Sequence, residues 1–148
     1  MPGIAANPDI IKAYEDVRDD KTETNWLIAT YEGDTDKLVL GGSGTQGLSE
    51  LTSHFKDDMV AYAYVRMKVG NDHLSQRVKF VLIQWIGSAV KVIRKARASV
   101  HLSEVKQTLQ VFSVEVSANT VADLREDAIV LKLKKAMGAN YDRQASEY

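Results

Sequence analysis

Residues 40–47, LGGSGTQG, place Gly42-x-Gly44-x-x-Gly47 directly after an apolar run and directly before a helical pattern. Glycines at that spacing let a backbone approach a pyrophosphate seated on a helix N-terminus, so the chemistry on offer is phosphate or dinucleotide binding. Such a site needs its glycines between parallel strands and an acidic residue closing the second strand. Here the preceding run reads as half of a hairpin, and the nearest acids, Asp57 and Asp58, come before the next strand. A flexible strand-to-helix connector is therefore the expected role. Phosphate binding, by a nucleotide or an acidic phosphoinositide, is the alternative.

Catalytic groups do not assemble. His54, His73 and His101 fall in separate elements without metal-ligand spacing. Asp19-Asp20 and Asp57-Asp58 sit at element ends, where carboxylates solvate turns, whereas a catalytic pair must converge on a cleft. The chain has no cysteine, which excludes thiolate, disulfide and zinc–thiolate chemistry, and it contains neither GxSxG nor HExxH. The expectation is a protein that is not an enzyme and uses no cofactor or metal.

The basic residues say more. Arg77 and Lys79 alternate at the entrance to an apolar strand, which turns both to one face. Lys91, Arg94 and Lys95 cluster at helical spacing, with Arg97 one step round. Like charges so placed need solvent or an acidic partner, and the two groups are expected to share one exterior plane. The formal net charge is only −1, and no strand carries the aromatic pattern of an RNA-binding sheet. An acidic protein surface is the better match than nucleic acid.

The elements that must position these residues fit one domain of 148 residues, with 45% hydrophobic and 26% charged residues. No apolar run reaches membrane-spanning length, and MPGIAANPD lacks the basic start and apolar centre of a secretory leader, so a cytoplasmic protein is expected. Asn7-Pro8-Asp9 starts a helix. Residues 25–31 and 37–41 form a hairpin, and Leu48, Leu51 and Phe55 mark a short helix. Strands follow at 59–69 and 77–86, the latter continuously apolar from Phe80 to Ile83 and so covered on both faces. Between 88 and 110 the helical stripe changes phase, from Val92, Ala96 and Val100 to Leu102, Val105, Leu109 and Phe112, which predicts a kinked or broken helix. A strand at 111–116 precedes a last helix, capped by Thr120 with Asp123 and ending before Gly138; 143–148 is a loose tail. The order α-ββ-α-ββ-α-β-α gives an α/β (α+β) sandwich, a five-stranded mixed sheet flanked by helices on both faces.

VRDD at 17–20, QRVKFVLIQWIG at 76–87, IRKAR at 93–97 and LKKAMGANYD at 133–142 resemble the coactosin branch of the actin-depolymerising-factor homology family. The element order agrees with that family along residues 9–142. The resemblance implies a gelsolin-like fold whose last two strands run parallel between two pairs of helices. It also implies binding along actin filaments, opposition to filament capping without strong depolymerisation, and a monomer associated with the actin cytoskeleton. Actin monomers are a second possible partner. Carried over residue by residue, the contacts are Arg77 and Lys79, then Lys95 and Arg97, with Lys106, Arg125 and Lys135 as weaker members. Ala98 stands where depolymerising members have methionine, and MPGIAAN has no serine for a kinase. Both departures weigh against cofilin-like monomer binding, severing or N-terminal phosphorylation. A scaffold for some other acidic protein is a further alternative.

Overall fold

Asn7 opens the first helix because its side-chain oxygen accepts the Asp9 backbone N–H at 2.8 Å, with Pro8 following at a position that needs no donor. The computed structural model describes residues 7–70 and 77–146, with side chains on the last helix described through Met137; the connection at 71–76, including His73, lies outside the described residues. Helix α1 (Pro8–Arg18) leads to strands β1 (Trp26–Tyr31) and β2 (Leu38–Gly44), then the short α2 (Gly47–Thr52). Strands β3 (Val60–Val69) and β4 (Arg77–Ile86) are followed by α3 (Val92–Thr108), β5 (Val114–Ala118), a 3₁₀ turn (Val121–Leu124) and α4 (Glu126–Ser146).

The sheet order is β2-β1-β3-β4-β5, antiparallel except for the parallel β4–β5 pair. Alternation along each strand sorts the core into two layers. Ile28, Ala63, Val81, Ile83 and Trp85 meet Leu48 and Leu51 of α2 and Ile129 and Leu133 of α4. Leu27, Tyr62, Tyr64 and Leu82 meet Ile10 and Val17 of α1, Ala98 and Val105 of α3, and Leu109 just after it. Cover on both faces explains the unbroken apolar run in β4. The mixed five-stranded sandwich expected from the sequence is the fold observed.

Four local expectations change. Helix α3 runs without interruption from Val92 to Thr108. The two apolar phases are two sides of one helix: Ala98, Val105 and Leu109 are fully buried, whereas Val92, Ile93 and Val100 are 79%, 70% and 72% exposed. Thr120 makes no side-chain cap; instead the Asp123 carboxylate accepts the Asn119 N–H at 3.4 Å within the 3₁₀ turn. Arg125 is extended, at φ −62° and ψ 139°, before α4 begins. In an unbroken helix Leu124 and Ile129, five residues apart, would point about 140° away from each other, and the break lets both face the sheet. Helix α4 then continues through Gly138 to Ser146, into the segment expected as a tail. Strand β5 starts three residues late because Val111 bonds elsewhere: its N–H donates to the Tyr14 hydroxyl at 3.2 Å, and its carbonyl accepts from Tyr64.

Candidate functional site

The glycine segment is not a phosphate cradle. Gly41, Gly42 and Gly44 lie within β2, paired antiparallel to β1, and only residues 45–46 connect β2 to α2. A Cβ on Gly44 would stand 2.0 Å from Glu50 Oε1 and 2.7 Å from the Trp26 indole, so the glycine exists to let the buried Trp26 ring pack. The Glu50 carboxylate accepts the Trp26 indole N–H at 2.8 Å and the Gln46 backbone N–H at 3.4 Å. Gly47 adopts φ +72° and donates its N–H to Asn25 Oδ1 at 2.9 Å. The space beside Gly44 is filled by the protein's own carboxylate and indole, and the glycines lie in an antiparallel strand, both of which weigh against the phosphate alternative.

The basic residues form two patches rather than one. Arg77 and Lys79 have the parity of Val81, Ile83 and Trp85, so they turn towards the face covered by α2 and α4. Lys95 and Arg97 ride on α3, which covers the opposite face. Lys95 also lies beside Gln84, Ile86 and Asn119 at the far ends of β4 and β5, roughly 20 Å along the strand direction from Lys79 at about 3.3 Å per residue. The single exterior plane expected from the sequence does not exist. Strand alternation and a helix crossing on the other side of the sheet separate the two groups.

Their surroundings differ as well. Arg77 is exposed opposite Val69, Lys79 is half-buried opposite Met67, and neither makes an ion pair among the described residues. On α3, Arg97 Nη1 lies 3.3 Å from Asp36 Oδ1 in the β1–β2 turn, and Arg94 Nη1 lies 3.2 Å from the same oxygen. Arg94 also donates to the Thr35 carbonyl at 3.1 Å and stands 4.3 Å over the Tyr31 ring. Lys106 pairs with Glu115 of β5. Arg125 pairs with Asp127 at 2.7 Å, and that guanidinium holds the Asp127 carboxyl below the ordinary carboxylate range. Lys135 is exposed on α4, on the sheet face shared with Arg77 and Lys79, and makes no ion pair among the described residues.

Beneath α3, a polar chain fixes the helix on the sheet. The Ala98 carbonyl accepts from the Tyr62 hydroxyl at 2.8 Å and from Gln84 Nε2 at 3.1 Å. Tyr31 links the Tyr62 hydroxyl, 3.1 Å away, to His101 Nδ1 at 2.7 Å. Burial pushes the Tyr62 hydroxyl far above, and that of Tyr31 above, the ordinary tyrosine range. Ala98 itself is fully buried, so its small size governs packing on Tyr62 and carries no information about an external partner. The apolar atoms that α3 offers outward belong to Val92, Ile93 and Val100. The valines are visible in the sequence as a stripe, whose change of phase predicts a kink that α3 does not have. Asp36 left no local signal, since its arginine partners lie 58 and 61 residues away.

Comparison with known proteins agrees with this architecture. Residues 3–134 match the family described as cofilin/tropomyosin-type actin-binding protein. The chain is 37% identical to coactosin of Dictyostelium discoideum over 142 residues, covering 95% of this chain and 96% of that one. The crystal structure of coactosin from Entamoeba histolytica superposes with a TM-score of 0.80 at 32% identity, covering 85% of this chain and 91% of the other. The solution structure of mouse coactosin, described as an actin filament binding protein, gives a TM-score of 0.71 at 37% identity, with 90% and 91% covered.

Proposed function

The chain belongs to the cofilin/tropomyosin-type family of actin-binding proteins, and we propose that it acts as a coactosin-type module on the sides of actin filaments. Arg77 and Lys79 meet acidic residues of one subunit, Lys135 adds to that contact, and α3 with Lys95 and Arg97 lies against the same or the neighbouring subunit. Two patches on opposite sheet faces suit a partner that presents more than one surface, as a filament does. Lys106 and Arg125, already paired with Glu115 and Asp127, contribute less. Each exposed contact is weak, and the set supplies affinity in the micromolar range with marked salt sensitivity. The module acts without enzymatic chemistry, as a monomer, in the actin cytoskeleton of the cytoplasm, and modulates filament dynamics and capping without strong depolymerisation. No helix among the described residues is long and apolar enough to cross a membrane.

The observation that carries this reading is the pair Arg77 and Lys79: two cations on one face of a rigid strand, neither ion-paired among the described residues. High-speed co-sedimentation with filaments at two salt concentrations tests it. Pelleting that weakens at the higher salt is expected, and absence of pelleting at both would refute filament binding.

A second reading, binding of actin monomers, draws support from Val92, Ile93 and Val100, which offer α3 an outward apolar face. Titration of fluorescently labelled monomers separates the two, because a filament-side module leaves the monomer signal unchanged at concentrations that saturate filaments.

A further inference from the structure

Two arginines one helical turn apart converge on a single carboxylate oxygen, and they are held unequally. The Arg94 side chain is 20% exposed and has two further anchors, the Thr35 carbonyl at 3.1 Å and the Tyr31 ring at 4.3 Å. The Arg97 side chain is 53% exposed, and Asp36 is its only ion-pair partner among the described residues. Asp36 is itself half in solvent, at 46%. Tyr31, the platform under Arg94, is tied to Tyr62 and His101 and so does not move with the turn. Arg97 can therefore leave without stranding Asp36, whereas Arg94 cannot leave without giving up three contacts.

We propose that Arg97 is an exchangeable arm, parked on Asp36 in the free protein and passed to a carboxylate of the partner on binding, while Arg94 stays behind to keep Asp36 paired. This rests on the filament-side reading and adds a specificity-determining residue to it. Asp36 sits in the β1–β2 turn, outside every basic segment carried over from the family resemblance. A guanidinium favours two parallel bonds to both oxygens of a carboxylate, and Asp36 gives Arg97 only one oxygen, already shared. A partner acid that offers both oxygens wins the exchange, whereas diffuse negative charge does not. Asp36 thus lowers overall affinity slightly and raises discrimination among acidic surfaces.

The test is a mutant cycle read by filament co-sedimentation at fixed salt, with thermal melts to verify folding. Exposed ion pairs hold a preference of at most about fivefold, so Asp36→Asn is expected to tighten binding by about two- to fivefold. Glu32→Gln removes the same charge from the same turn, but its ion-pair partner is Lys37 rather than α3, and it is expected to change affinity less. In an Arg97→Ala background the Asp36→Asn gain is expected to vanish. Equal gains from Asp36→Asn and Glu32→Gln would reduce the effect to net charge and overturn the exchange. So would weaker binding by Asp36→Asn, which would make Asp36 a positioning group, or a gain that survives in Arg97→Ala. Failure of the unmutated chain to pellet would overturn the filament reading and the exchange together. A neutral Arg97→Ala in a chain that pellets would overturn the exchange and remove Arg97 from the site, but leave the filament reading standing.

Discussion

The entrance to β4 and the first half of α3 are both basic, yet they hold their charge in opposite ways. Arg77 and Lys79 project from a strand clamped in register against Val69 and Met67, without an ion pair among the described residues. On α3, Arg94 and Arg97 are partly neutralised by Asp36, and the same helix exposes Val92, Ile93 and Val100. The first patch can attract a partner from a distance, and salt will screen that attraction. The second keeps Lys91 and Lys95 without an ion pair among the described residues but adds exposed apolar area, so part of its contribution should survive salt. Residues of one type, carried over from one family, are thus expected to act through different physics.

The largest effect should come from removing the unpaired charges. Arg77→Ala with Lys79→Ala is expected to weaken filament pelleting by about tenfold, and by less at high salt, with the thermal midpoint nearly unchanged because neither side chain is part of an ion pair or core among the described residues. Unchanged pelleting would take the strand out of the interface. Next comes the apolar side of the comparison. Ile93→Ser is expected to weaken pelleting by about fivefold, equally at both salt concentrations, as burial of one exposed aliphatic side chain should. A loss that disappears at high salt would mean that α3, too, works chiefly through charge.

A smaller effect separates the undersides of the two patches. Tyr31, Tyr62 and Tyr64 are pushed above the ordinary tyrosine range by burial. A raised folded-state value means that stability is fully present below about pH 10, where unfolded tyrosine begins to ionise, and falls as pH rises beyond it. These hydroxyls are therefore expected to ionise only as the helical circular dichroism signal collapses, followed by absorbance at 295 nm. Tyr62→Phe should remove amplitude from that late phase and cost about 1 kcal/mol, since Ala98 keeps its bond from Gln84. Early ionisation of all tyrosines would show that α3 lifts from the sheet before the protein unfolds.

Much of this was legible in the chain because the signals were local. The Asn7-Pro8 start, the apolar run of β4 and the alternation that aims Arg77 and Lys79 together depend on near neighbours, and all three appear as expected. What failed was decided by distant residues. Trp26 and Glu50, not the spacing of the glycines, determine what Gly44 does. The phase change in α3 was visible, but only the sheet beneath could show that one phase faces water. The separation of the two basic patches needed strand parity and helix placement together, and the Asp36 contact spans about 60 residues of chain. The family resemblance supplied the residues, but not the carboxylates that some of them already hold.

Lys106 gives the smallest effect and the sharpest distinction, because the family resemblance and the structure assign it differently. Its ammonium pairs with Glu115, tying the end of α3 to β5, and both side chains are partly exposed, at 40% and 29%. Such a pair contributes at most about 1 kcal/mol. If that is all Lys106 does, Lys106→Ala and Glu115→Ala lower the melting midpoint by similar small amounts and neither changes pelleting. If Lys106 also touches the filament, the two variants part company. Lys106→Ala weakens pelleting, and Glu115→Ala strengthens it by releasing the ammonium, as Asp36→Asn is expected to do for Arg97. Equal and neutral pelleting would place Lys106 with the residues that hold α3 in position, leaving Arg77 and Lys79 of β4 and the exchangeable Arg97 as the charges that meet the partner.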